Sequence, residues 1–274
     1  MAVATRIPAY SAPFTRDALR PVHAVPGLDT LTRDWAFHGA TGRGVKVAIV
    51  DSGIDETHPA VGGAVNTYVA ISLDGEEISY QTGPHDDAVG HGTACAAIVR
   101  QLAPECELIS VKVLGPRLGG RGAVFTAGIR WALQHGVDVC HLSLGTSKAD
   151  FFGPLHDLAD EAYFRNIILV AAANNMPVPT YPALYASVIS VAACDGEDPD
   201  MFFYNPEPPV EFGAPGINIR VAWRGGSWLN ATGNSFAAPH ITGQVARLRS
   251  KYPGLTPFQV KMILRALAAN VTSP

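Results

Sequence analysis

Five short apolar runs without a regular polar side punctuate the chain: "VKVAIVD" (45 to 51), "LISVKVL" (108 to 114), "VDVCHLSL" (137 to 144), "IILVAAA" (167 to 173) and "SVISVAA" (187 to 193). They are rich in β-branched residues and apolar at successive positions, the pattern of strands buried on both faces of a parallel sheet. Between and after them the period lengthens to that of helices. "HGTACAAIVRQL" (91 to 102), "AVFTAGIRWALQHG" (123 to 136, Gly136 at its C-terminal stop) and "GPLHDLADEAYFRN" (153 to 166) are followed by "SFAAPHITGQVARLRSKY" and "TPFQVKMILRALAANV". The alternation predicts an α/β fold with a doubly wound, mainly parallel sheet flanked by helices. Residues 1–26, rich in Pro and Ala and without periodicity, read as an N-terminal extension wrapped on the surface or partly disordered. A single domain is expected over 27–274. No internal repeat or low-complexity tract interrupts it.

In such a sheet, ligands gather at the carboxyl ends of strands and the adjoining helix starts. Three polar residues fall at positions of that kind. Asp51 closes "VKVAIV", His91 opens a helix after "AVG", and Ser235 opens another after "NATGN".

Composition narrows the choice of partner. The 274 residues are 47% hydrophobic and 16% charged, with a net charge of −4 and no block of like charges, which argues against a nucleic-acid or polybasic membrane surface. No apolar run approaches the roughly 20 residues of a membrane helix, and the N-terminus lacks the apolar core of a secretory signal. The four cysteines (95, 106, 140, 194) show no CxxC spacing and read as reduced thiols. Together these features suit a cytoplasmic protein.

A serine hydroxyl needs a base within hydrogen-bond reach, and a histidine base needs a carboxylate to fix its tautomer and stabilise the imidazolium. Asp51, His91 and Ser235 supply those three types. Taken singly, each is more often a turn residue, a structural histidine or a helix cap. Other layouts fit poorly. There is no GxSxG, the only histidine after Ser235 is His240, and there is no HExxH. "HDDAVGH" (85 to 91) has metal-ligand composition, but His91 is better used as the base; no metal and no cofactor are expected.

The flanks of the three residues decide between the readings. "VAIVDSGIDETHP", "GHGTACAA" and "GNSFAAPH" resemble, in order, the Asp, His and Ser blocks of the subtilisin-like serine proteases. The likeness runs from about 27 to 270 and takes in "ISVKVLG", "WALQHGVDVCHLSLG", "VAAANN", "YPALYASVISVAA" and "FGAPG". It implies a serine endopeptidase acting through an acyl-enzyme, with Asp51, His91 and Ser235 as triad. Asn175 matches the asparagine that shares the oxyanion with the backbone N–H of the serine. "CHLSLG" resembles the strand that pairs with extended substrate, giving Ser143, Leu144 and Gly145 as substrate-binding, and the loop "GPRLGGRGA" resembles the second such strand, adding Gly119 and Gly120. The partner is a polypeptide or peptide substrate; the oligomeric state is not legible.

Four departures from the family pattern matter. Asn234 and Phe236 stand where Thr and Met are usual. Only "QLAPECEL" separates the His91 helix from "ISVKVL", so the loop that carries calcium in many secreted relatives is expected to be missing, and its calcium with it. Thr146 and Asn174 replace glycines in the wall of the specificity pocket, with Thr180 at its floor, which predicts a small or medium, uncharged residue before the cleaved bond. Few residues precede the protease-like part; "RIPAY" is similar to the short inhibitory propeptide of intracellular subtilisins, against which stands a plain surface extension. The pocket and the "FA.P" serine block, similar to that of cyanobactin-maturation proteases, also suit a precursor-peptide processing or macrocyclising enzyme on the same scaffold. A non-catalytic binding module is the third reading. Asp55 and His58 in "DETHP" read as structural, and Glu207 and Glu211 as a solvated loop.

Overall fold

The computed structural model describes residues 7–25, 27–116 and 121–272. In chain order the elements are β1 (Val22–His23), α1 (Arg33–Phe37), β2 (Lys46–Asp51), β3 (Val65–Asp74), β4 (Glu77–Thr82), α2 (His91–Leu102), β5 (Glu107–Lys112), α3 (Gly122–Gln134), β6 (Val139–Leu142), α4 (Phe152–Phe164), β7 (Ile168–Ala172), β8 (Ile189–Cys194), β9 (Phe203–Tyr204), β10 (Phe212–Pro215), β11 (Ile219–Trp223), β12 (Ser227–Ala231), α5 (Asn234–Lys251), α6 (Pro257–Leu267) and β13 (Val271–Thr272).

Nine strands form one sheet in the order β4-β3-β5-β2-β6-β7-β8-β10-β9. The run from β3 to β10 is parallel throughout, and the two edge strands β4 and β9 are antiparallel. β2 sits centrally, and its side chains alternate between two cores: Val47 and Ile49 pack with α2, α5 and α6, whereas Ala48 and Val50 pack with α3 and α4. Burial on both sides explains why this strand reads as a continuous apolar run. The α/β class and mainly parallel sheet expected from the pattern are what the structure shows.

Helix stops follow local chemistry. α6 opens with a capping box in which Thr256 and Gln259 satisfy each other's backbone N–H groups, and Gly136, just past α3, adopts φ +69°. Between α2 and β5 only residues 103–106 intervene.

The segment 7–25 lies on the body of the protein. Phe14 is 2% exposed, its ring flat against Gly213 of β10, where no Cβ would fit. β1 pairs in parallel with β13, Val22 opposite Val271. The boundary expected after residue 26 therefore separates pieces that pack as one. No helix among the described residues is long and apolar enough to cross a membrane.

Candidate active site

Asp51 is the last residue of the central strand, and its carboxylate is fully buried. His91 Nδ1 lies 2.8 and 2.9 Å from its two oxygens, and the Ser52 N–H donates to Oδ1 at 2.7 Å. Burial opposes ionisation of Asp51, but the attraction of His91 and these hydrogen bonds outweigh it and hold the carboxyl below its ordinary range. The same balance works in reverse on His91: burial disfavours the imidazolium, Asp51 more than compensates, and its pKa is raised. With Nδ1–H committed to Asp51, the lone pair of a neutral His91 is on Nε2.

The approach to His91 is fixed by a buried carboxylate that the sequence reading weighed only as a metal ligand. Asp87 accepts from Ser52 Oγ (2.8 Å) and the N–H groups of Val89 (2.9 Å) and Gly90 (2.8 Å) on one oxygen. Its other oxygen takes the N–H (2.9 Å) and hydroxyl (2.7 Å) of Thr93. Ser52 Oγ in turn accepts from Gly92 N–H at 3.1 Å, so the end of β2 and the start of α2 are stitched together. Gly90, at φ +115°, makes the turn that aims His91 back at Asp51. Asp55 and His58 are also bound locally: Asp55 by Thr57 and Gly225, His58 by Ala60 N–H and Ser227 O.

Ser235 is the second residue of α5, reached through the extended Gly233. Four residues on, Pro239 has no N–H, so the Ser235 carbonyl loses its helical partner. Ser143 Oγ–H replaces it at 2.8 Å, and the Cys95 thiol lies 3.5 Å from the same oxygen. With the Ser143 proton so used, His141 Nε2–H donates to Ser143 Oγ at 2.7 Å and His141 Nδ1 faces the Thr242 hydroxyl at 2.8 Å. Burial pushes His141 down to about 4, which keeps it neutral, and the hydrogen bonds on its two nitrogens select the tautomer. The chain Thr242–His141–Ser143 thus props the start of the serine helix from below. The Ser235 hydroxyl itself donates to Ser143 O at 3.4 Å and forms no hydrogen bond with His91, whose ring lies 5.4 Å from that of Phe236.

Asn175 follows β7 in an exposed loop, and its Oδ1 accepts the Asn234 N–H at 2.8 Å, placing its amide beside the serine helix. The substrate-binding candidates divide. Ser143 is buried with its side chain turned inward, so only its main chain is open to a ligand. Leu144 packs on the α3/α4 side, and Gly145 lies over Thr180, where a Cβ would come within 3.3 Å of the threonine. Thr146 bridges Tyr181 in antiparallel fashion, and the Asn174 carboxamide folds back on the Met176 N–H at 2.9 Å. Gly119 and Gly120 lie outside the described residues.

One group of donors among the described residues could share an ion: Asp51, His91 and Cys95, within 4.8 Å of one another. Burial and the Asp51 charge push the Cys95 thiol well up, so it keeps its proton, while Asp51 and His91 satisfy each other. The arrangement serves a proton better than a metal. All four cysteines are buried and unpaired.

A strand-end carboxylate paired with a helix-start histidine, beside a serine on a second helix start, is the layout of a serine hydrolase on a parallel α/β sheet. Comparison with known proteins gives the family: residues 42–273 match the model of the subtilase family (Peptidase_S8). The chain is 35% identical over 251 residues to subtilisin DY of Bacillus licheniformis, spanning 85% of this chain and 86% of that one. It is 34% identical over 248 residues to subtilisin BL of Lederbergia lenta, spanning 86% and 87%. Sphericase shares the fold with a TM-score of 0.70 at 22% identity, over 96% of this chain and 90% of that one. A cold adapted subtilisin-like serine proteinase does so at 0.67 and 23%, over 89% and 92%. The chain belongs to the subtilase family and is a subtilisin-like serine protease, a peptide hydrolase.

Proposed function

We propose that the protein is a serine endopeptidase in which Asp51, His91 and Ser235 form the catalytic triad. The observation that carries this reading is the buried Asp51–His91 pair at 2.8 Å, set beside the start of the serine helix. Rotation about χ1 takes the Ser235 hydroxyl from its long bond to Ser143 O toward His91 Nε2; such bonds commonly tighten only when substrate is bound. His91 Nε2 takes the hydroxyl proton as Oγ bonds to the peptide carbonyl carbon, and Asp51 stabilises the imidazolium through Nδ1–H. The negative charge on the carbonyl oxygen is met by Asn175 Nδ2–H and the Ser235 N–H, one of the free donors at a helix start. His91 then returns the proton to the leaving amine, the C–N bond breaks, and water repeats the sequence on the acyl-enzyme.

Substrate is an extended polypeptide segment, its acyl side lying along the main chain of Ser143, Leu144 and Gly145, with Thr146, Asn174 and Thr180 limiting the pocket. Buried, unpaired thiols suit a reducing compartment such as the cytoplasm.

Labelling with a fluorophosphonate tests the assignment. Wild type is expected to take one label, and Ser235→Ala, folded by circular dichroism, none. A folded wild type that remains unlabelled would overturn it.

A further inference from the structure

Asn234, just before the proposed nucleophile, is fully buried, and its side chain points away from the reacting atoms toward the N-terminal segment. Its Nδ2 lies 3.0 Å from Ala9 O, 3.0 Å from Asn174 O and 3.2 Å from Ala173 O. Its Oδ1 accepts from the Ala193 N–H (2.8 Å) and the Ser11 hydroxyl (3.3 Å). Asn175 is gripped from the same two directions. The backbone N–H of Asn234 holds its side-chain oxygen at 2.8 Å, and the backbone N–H of Ala9 holds its main-chain oxygen at 2.9 Å. Both acceptors of Asn175 are therefore engaged, which leaves its Nδ2–H groups as donors, with that nitrogen beside Gly233.

The loop needs outside support. The last sheet bond before it is Ala173 N–H to Val191 O, and Asn175 to Pro179 are all exposed. Ordering an exposed loop residue costs conformational entropy, and a misplacement of about 1 Å can cost about a hundredfold in rate. Ala9 supplies the missing backbone partner, held from beyond by buried Ser11 and Phe14. Residues 7–9 also form one wall of a cavity of about 450 Å³ whose other walls are Asn175, Met176, Pro177 and Thr232, so the segment lies directly against the Asn175 loop. A threonine at 234 could not reach three carbonyls at once.

We propose that the docked N-terminal segment is a working part of the active site: acting through Asn234, residues 8–11 hold Asn175 where its amide meets the developing oxyanion. This rests on the protease reading of Ser235 and Asn175. Asn234, Ala9 and Ser11 are positioning residues, touching no reacting atom.

A double-mutant cycle in the full chain tests it, read by the rate of fluorophosphonate labelling together with hydrogen exchange at the Ala9 amide. Asn234→Thr is expected to speed exchange at Ala9 and slow labelling about tenfold to a hundredfold. In an Asn175→Ala background, itself slowed about 10²- to 10³-fold, the same change is expected to add nothing, because the residue it acts through is gone. Ala9→Pro, which removes the N–H given to Asn175 and leaves no amide there to exchange, is read by labelling alone. It is expected to slow labelling in the same pattern across the two backgrounds and replaces Asn234→Thr should that variant fail to fold. Labelling at the wild-type rate despite a freely exchanging Ala9 amide overturns the inference, as does equal slowing in both backgrounds. A folded wild type that takes no label overturns the protease reading and this inference with it; a labelled wild type with an indifferent Asn234→Thr overturns the inference alone.

Discussion

In the proposed triad His91 must be neutral to accept the Ser235 proton, and its neighbourhood decides at what pH that holds. Burial disfavours the imidazolium, but Asp51 outweighs burial and raises the pKa above the ordinary 6.5. Activity is thus expected to be lost as pH falls through a value above 6.5, read as the acid limb of kcat/KM. Asp51→Asn removes the attraction, so the limb should move to lower pH while kcat drops by about 10⁴. A limb that stays in place in that variant would contradict the pairing. His141 gives a second test at this scale. Its neutral ring is the middle link between Thr242 and Ser143, and His141→Leu removes both links at about 0.5–1.5 kcal/mol each, while the two hydroxyls keep Ala238 O and Ser235 O as acceptors. Urea unfolding should show that loss, and turnover should fall with it; His141→Asn, with one donor and one acceptor on a short arm, should recover most of both. At the pocket, the crowding of Thr146, Asn174 and Thr180 predicts faster turnover of peptides with Ala than with Phe before the cleaved bond. Equal rates would remove that reading.

The two helices that carry His91 and Ser235 are set by their crossing. Gly243 of α5 sits on Leu102 of α2 so closely that an added Cβ would come within 2.7 Å of the leucine Cβ. Gly243→Ala should force the helices apart, costing about 1–3 kcal/mol, and lower turnover as well as Tm, since the histidine and serine ride on opposite sides of the contact. The inner elements were legible because residues such as Val47 to Val50 are apolar at consecutive positions, which only a strand covered on both faces explains. The hairpin β3–β4 is hard to see in sequence: β4 is largely exposed and carries no apolar run, and its one local signal is the Asp74-Gly75 turn. β12, also largely exposed, escaped for the same reason, and β11 because its short apolar stretch is broken by Arg220. Within the site, Asp51, His91 and Ser235 stand out by their flanking motifs. Asp87 does not, since a loop aspartate looks the same in sequence whether it is solvated or takes five hydrogen bonds. The part played by Pro239 becomes visible only once Ser143 is seen beneath the carbonyl it frees.

At the scale of the whole molecule, the N-terminal segment is an integral layer. Phe14 fills a niche formed by Ala173, Ala192, Cys194 and Val210, and Arg20 pairs with Glu207 at 2.6 Å on the surface. The exposed ion pair contributes little; the buried ring contributes most. Phe14→Ala is accordingly expected to cost about 3–5 kcal/mol in urea unfolding, far more than Arg20→Ala, and a loss below about 1 kcal/mol would show that the segment rests on the surface without anchoring. Composition left open an extension wrapped on the surface or partly disordered, because Pro and Ala carry no periodicity. What the sequence could not display is that the partners of these residues lie far along the chain, Glu207 at 187 positions from Arg20 and Asn234 at 223 from Ser11.

That separation sets an order of events during synthesis. The Asn234 carboxamide, which joins Ala9 across 225 positions, does not exist when Ala9 leaves the ribosome, nor does Asn270, which reaches Arg20 across 250. At about 5–20 residues per second, roughly 10 to 45 seconds pass before the two sides of the Asn175 grip can meet. Asp51 and His91 can pair early, but the nucleophile and its oxyanion support arrive late and together. On the proposed triad, a nascent chain is inert toward itself and toward its neighbours on the polysome until translation has passed Ser235, a temporal safeguard that follows from chain order alone.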